Sequence, residues 1–120
     1  MANAFKTFSA KNIDTASTGE TVLYTCPSSP TTETTIIGLN IANILAVSIT
    51  VTVELHDGGV SSPESTNLRH IVKDAIVPVG SSLVVVGGDQ KIVMNAGDVL
   101  RVHASQDNSC DAVLSVLEIT

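Results

Sequence analysis

Val47-Ser48-Ile49-Thr50-Val51-Thr52-Val53-Glu54-Leu55 alternates without a break. Val47, Ile49, Val51, Val53 and Leu55 fall on one side of an extended chain, and Ser48, Thr50, Thr52 and Glu54 on the other. Successive side chains of a strand point to opposite faces, whereas a helix repeats its apolar positions every three or four residues. This stretch follows the first period and not the second. It predicts a strand with an apolar inner face and a polar face toward solvent. Each such side chain, fully buried, stabilises by about 1.5–3 kcal/mol before chain entropy is subtracted, so this strand is expected to anchor a core.

Strand patterns continue on both sides of it. Thr34 to Asn43 reads as a strand with Ile37, Leu39 and Ile41 on one face and Ile36, Gly38 and Asn40 on the other. Val22 to Cys26 is another, stopped by the turn cluster Pro27-Ser28-Ser29-Pro30. After His56-Asp57-Gly58-Gly59 and a polar loop through Asn67, further strands are predicted at Leu68 to Val77 (bent near Lys73-Asp74) and Ser82 to Val86. Three more follow at Lys91 to Met94, Val99 to Ala104 and Ala112 to Ile119. Eight or nine short strands separated by turn signals, with no helical period, predict an all-β fold. The expected architecture is a single antiparallel β-sandwich or jelly-roll-like domain. Residues 20–120 form that domain. Residues 1–19, polar and ending in a turn-rich run, are expected either to add an edge strand around Phe5 to Phe8 or to form an arm.

Composition agrees. A chain of 120 residues is one domain by length and buries roughly 65% of its unfolded surface. Its apolar content is mostly Val, Ile and Leu, with no Trp and with Tyr24, Phe5 and Phe8 as the aromatics. Such β-branched residues fit a pleated, half-buried surface. The formal charge of −6 opposes binding to nucleic acid, which is held mainly through Lys and Arg, and opposes docking on an anionic membrane. No apolar run approaches the roughly 20 residues of a membrane helix. The opening MANAFKTFSAKNID lacks the apolar segment of an export signal, so synthesis in a host cytoplasm is expected. Cys26 and Cys110 form no CxxC pair, and free thiols are expected.

The search for chemistry turns first on Gly87-Gly88-Asp89-Gln90-Lys91. A phosphate loop needs GxxxxGK(S/T) leading into a helix, and a dinucleotide fingerprint needs GxGxxG. Neither is present, so the glycine pair reads as a turn or bulge between two strands. His56, His70 and His103 stand among acids such as Asp57 and Asp74 but show no HxH or HExxH spacing. They are expected to be exposed strand or loop histidines, with His103 alternating with Arg101 and facing solvent. No Ser sits in GxSxG, and three aromatics are a poor lining for a sugar cleft. The sequence therefore assigns no catalytic, cofactor-binding or metal-binding residue, and the protein is not expected to be an enzyme. The outer residues Ser48, Thr50 and Thr52, with Glu54 the one charge, read as a surface suited to packing against other subunits.

A set of blocks carries a family resemblance: Val22-Leu23-Tyr24-Thr25-Cys26-Pro27, Ile36 to Asn43, Leu68 to Pro78, Gly80 to Val93, and Ala96-Gly97-Asp98-Val99-Leu100-Arg101-Val102. In these blocks, which span most of residues 20 to 119, the chain resembles small virion structural proteins of tailed bacteriophages, particularly those of marine and cyanobacterial hosts. The resemblance implies a compact β-sandwich attached to a virus particle, with no catalytic residues and no cofactor. Its leading reading is a capsid decoration (cement) protein that binds the major capsid protein or other virion proteins as a homo-oligomer, for which a trimer would fit a symmetry axis. Neck, tail or fibre-adaptor components are the alternative within the virion. A carbohydrate-binding sandwich or small jelly-roll enzyme is the alternative outside it. Contacts are expected from strand edges, from residues 1–19 and from the loop around Gly58 to Asn67. Deleting residues 1–12 is expected to abolish attachment while leaving the sandwich folded.

Overall fold

The computed structural model describes residues 3–18, 20–57 and 68–120. The strands are β1 (Asn3–Ala10), β2 (Thr21–Thr25), β3 (Glu33–Asn43), β4 (Ile49–His56), β5 (Leu68–Val77), β6 (Ser82–Val86), β7 (Ile92–Met94), β8 (Val99–Ala104) and β9 (Cys110–Ile119), and no α-helix occurs among the described residues. They form two antiparallel sheets. One has the order β1-β9-β3-β6 with β7 also paired to β3, and the other has the order β2-β8-β4-β5. The fold is the predicted all-β sandwich. Its radius of gyration, 14.1 Å, is close to the roughly 13.6 Å expected of one domain this long.

The core lies between the sheets. Ile36, Leu39 and Ile41 of β3, Leu114 and Val116 of β9, and Val86 of β6 meet Ile49, Val51 and Val53 of β4 and Leu100 and Val102 of β8, all buried. Cross-strand pairing fixes this register: Val51 opposes Ala104, Val53 opposes Val102, and Leu55 opposes Leu100. One polar group also crosses the sandwich. The Tyr24 hydroxyl donates to Glu118 Oε2 at 2.5 Å and pairs with Thr34 Oγ1 at 2.7 Å, while Lys6 Nζ reaches Glu118 Oε1 at 2.8 Å. The Tyr24 ring packs on Phe8 with centroids 4.8 Å apart. Cys26 and Cys110 are separate, buried free thiols.

Hydrogen bonds from Lys6 and Tyr24 hold the Glu118 carboxyl below its ordinary value of 4.5. A carboxyl whose pKa is lowered by folding stabilises the protein above its unfolded value, and that stability is lost as pH falls through the folded one. Melting temperature is therefore expected to decline below about pH 4.5. The decline should be shallower in Glu118→Gln than in wild type, and identical acid slopes in the two proteins would contradict this assignment.

Residues 3–10 are an edge strand. β1 pairs with β9 from Asn3–Ile119 to Ala10–Ala112. The following segment is strapped to the β8–β9 turn. Ile13 is fully buried and exchanges backbone hydrogen bonds with Ser109 and Cys110. Asp14 Oδ1 accepts from the Asn108 N–H, and Asp107 accepts from the Thr15 N–H and from the Thr15 and Thr18 hydroxyls. Nothing about residues 3–18 is detached from the sandwich.

The alternation argument needs three local corrections. Val47 precedes β4 and is 47% exposed, because the strand begins at Ile49. In β3 the expected faces are partly exchanged: Ile36 points inward with Leu39 and Ile41, and Ile37 does not. A bulge between Ile36 and Gly38 opposite β9 inserts a residue and shifts the parity. On β4, Thr52 and Glu54 occupy the outer face as predicted, but both are buried there. The predicted bend in β5 is a second bulge: Asp74 has φ 51° and its N–H donates to Thr52 Oγ1 at 3.0 Å. The loop from Gly58 to Asn67 lies outside the described residues.

Gly87 and Gly88 connect β6 to β7 through a tight turn in which the Gln90 N–H donates to the Gly87 carbonyl at 3.2 Å. Gly88 has φ +62°, and a Cβ at Gly87 would stand 2.8 Å from Val84 Cγ1. Two separate constraints, backbone conformation at one position and close approach at the other, require the pair.

Candidate functional site

The outer face of the four-stranded sheet gathers five ionisable side chains that are scattered in the sequence. β4 runs between β8 and β5, with Glu54 opposite Arg101 on one side and opposite His70 on the other. The even-numbered positions of β4 point away from the core, so Glu54 and His56 emerge side by side, two residues apart. Thr52 stands opposite His103 in the same layer. Glu20, at the entry to β2, reaches the cluster from beyond β8.

The contacts form a chain. His103 Nδ1 lies 2.9 Å from Glu20 Oε2. One carboxyl oxygen of Glu20 lies within 4.8 Å of one of Glu54. His56 Nε2 lies 3.3 Å from Glu54 Oε1, and His70 Nε2 lies 3.6 Å from Glu54 Oε2. Glu54 is 5% exposed and His56 is 3% exposed, whereas His70 and His103 reach partly into solvent.

Burial, and next the hydrogen bond with Glu20, push the Glu54 carboxyl above its ordinary value. Burial acts on Glu20 in the same sense. It is outweighed there by hydrogen bonds from Glu54 and His103 and by the positive charge of His103 and Arg101, which hold its carboxyl low. The two neighbouring carboxyls are thus driven in opposite directions, Glu54 upward and Glu20 downward. One donor atom from each of Glu20, Glu54 and His56 lies within 4.8 Å of the others. Such a group can hold either a proton or a cation.

The sequence singled out three of the members, His56, His70 and His103, but not their convergence with Glu20 and Glu54. His56, expected at an exposed strand end, is buried, and His103, expected to face solvent, is bound to Glu20. The acids that partner the histidines are Glu20 and Glu54 rather than Asp57 and Asp74. The signal available in the sequence was the spacing of Glu54 and His56, which puts both on one face of a strand. Glu20 carried no signal, because only strand order brings it near.

The aromatics do not make a sugar platform. Phe8 and Tyr24 stack inside the sandwich, while Phe5 is 78% exposed on the opposite side of its strand. A surface depression bordered by Ser9, Lys11, Asp111 and Val113 lies on β1 and β9, in the other sheet from the carboxyl–histidine cluster.

The outer face of the five-stranded sheet differs in character. Phe5, Leu117, Thr35 and Val93 form one row across β1, β9, β3 and β7, and Ser9, Val113, Asn40 and Val84 form another across β1, β9, β3 and β6. Between them Thr7 opposes Ser115, which opposes Gly38. None of these residues is charged, and Phe5, Val84, Val93 and Val113 are exposed. No model of a known protein family matches the chain, and no curated protein matches it.

Proposed function

We propose that the chain is a structural component of a tailed-bacteriophage virion that acts by binding, with capsid decoration as its place in the particle. The observation that carries this reading is the uncharged central part of the outer face of the five-stranded sheet, between Glu33 at one end and Asp111 at the other. Surface hydrophobic residues scattered singly need no explanation, but exposed apolar side chains aligned in rows across several strands mark an interaction surface. Here rows of Val, Leu and Phe alternate with Thr, Ser and Asn, in a chain whose formal charge is −6. The charged residues of this face, Glu33 and Asp111, stand outside these rows, as a polar rim does around an interface core. The sequence blocks that resemble phage virion proteins support the same reading. On a repeating lattice, weak contacts through such a face gain from effective concentration.

The proposed partners are the major capsid protein, other virion proteins and sister copies of this chain. The test is a triple variant, Phe5→Lys, Val84→Lys and Val113→Lys. All three positions are exposed, so each change alone is expected to alter stability by no more than about 0.5 kcal/mol. Particle attachment, measured by co-sedimentation with undecorated particles, is expected to be lost while circular dichroism and melting stay close to wild type. Undiminished attachment of the folded variant would remove this face from the proposal.

A further inference from the structure

We propose that Glu20, Glu54 and His56 form a binding site for one divalent transition-metal ion, zinc by its donor set, which ties the entry of β2 to β4 across β8. This inference stands independently of the virion reading. Two carboxyl groups and an imidazole are a mixed oxygen and nitrogen set. Magnesium and calcium select oxygen ligands, whereas an imidazole favours zinc and its first-row neighbours.

Geometry supports the assignment. Zinc bonds of roughly 2.0–2.1 Å in a tetrahedron hold their donor atoms about 3.3–3.4 Å apart. His56 Nε2 and Glu54 Oε1 are 3.3 Å apart. That separation is a long hydrogen bond, and it also matches the spacing of two ligands of one ion. His70 Nε2, 3.6 Å from Glu54 Oε2, stands at the solvent side of the group, where a water would complete the tetrahedron.

Burial gives an independent argument. His56 is 3% exposed, and its Nδ1 has no hydrogen-bond partner among the described residues. Buried polar groups are ordinarily satisfied. Among the described residues, this buried imidazole has a partner at Nε2 alone, the nitrogen that faces Glu54. Outside the ligand set, His103 Nδ1 at 2.9 Å from Glu20 Oε2 supplies the kind of partner that orients a ligating carboxylate.

Zn2+ is held by Glu20 and Glu54 as carboxylates and by the neutral ring of His56, and any proton these groups carry beforehand leaves to the buffer. The ion would join β2 to β4 over the intervening strand and stabilise the folded state.

The test is zinc titration of full-length protein previously treated with chelator and desalted. Calorimetry is expected to show one zinc per chain. Cobalt(II) substitution should give the intense visible absorption of a tetrahedral site. Zinc at 100 times its Kd should raise the melting temperature on the order of 10 °C, and magnesium or calcium should not. Glu20→Gln, at a position only partly buried, should remain folded and lose affinity more than about 100-fold. Loss of the outer partner in His103→Ala should cost about 10–100-fold. Three results would overturn the proposal: no zinc binding by wild type, a solely octahedral cobalt spectrum, or affinity unchanged in both Glu20→Gln and Glu54→Gln.

Discussion

A chain that begins at Ile13 is expected to lose its cooperative fold. The deletion removes all of β1, whose backbone pairs with β9 from Asn3 to Ala10. It also removes Phe8 from the Tyr24 ring, Lys6 from Glu118, and the Asn12 N–H from Asp111 Oδ1. β9 would become a long, unpaired edge beside the core, which invites pairing with other chains. Against a total stability of roughly 5–15 kcal/mol for a domain of this kind, loss of an entire strand exceeds what the remaining sandwich can absorb. The measurement is a thermal melt by circular dichroism with size-exclusion chromatography. No cooperative transition, and aggregation on the column, are expected; a monomer with a wild-type melt would show that β1 is dispensable. The expectation that an arm could be cut away without unfolding the domain does not survive the strapping of residues 3–18 onto the sandwich.

The second large effect is expected at Leu114. It is fully buried at the centre of β9, in a row that runs from Phe8 through Leu114 and Leu39 to Val86 across four strands. Truncation to Ala removes apolar contacts and leaves a cavity that neighbours anchored in a sheet cannot close, at a cost of about 2–5 kcal/mol. In urea the midpoint should fall with the slope unchanged, since the surface exposed on unfolding is nearly the same. The neighbouring residue supplies the control. Val113 faces outward, so Val113→Ala should change stability by no more than about 0.5 kcal/mol. Equal costs at the two positions would mean that the register of β9 is wrong, because a slip of one residue exchanges the faces.

What could be read from the sequence followed from alternation. Ile49, Val51 and Val53 lie inside because period two allows nothing else, and the turns at Asn95 to Asp98 and Gly87-Gly88 fall between strands as their residues require. The failures have physical causes. A bulge at Ile37 shifts parity in a way that no local pattern announces. The burial of Glu54 and His56 on an outer face depends on neighbours contributed by β8, β5 and the entry to β2, that is, on strand order. Local periodicity states which residues share a face but not what stands beside that face. For the same reason the carboxyl–histidine cluster was invisible: its members lie at 20, 54, 56, 70 and 103, and no spacing rule joins them. The uncharged rows of the five-stranded sheet were missed in a similar way. The predicted packing surface was placed on β4, whereas the face with those properties is assembled from β1, β3, β6, β7 and β9.

The most direct test of the central claim is an electron-microscopy map of the particle that carries this chain. The account predicts on the order of hundreds of copies on the head lattice, each with the Phe5–Leu117–Thr35–Val93 face turned toward the shell or a sister copy. Six or twelve copies in a ring at the neck or tail would contradict the decoration assignment. A map with that face turned to solvent in every copy would contradict the mode of binding.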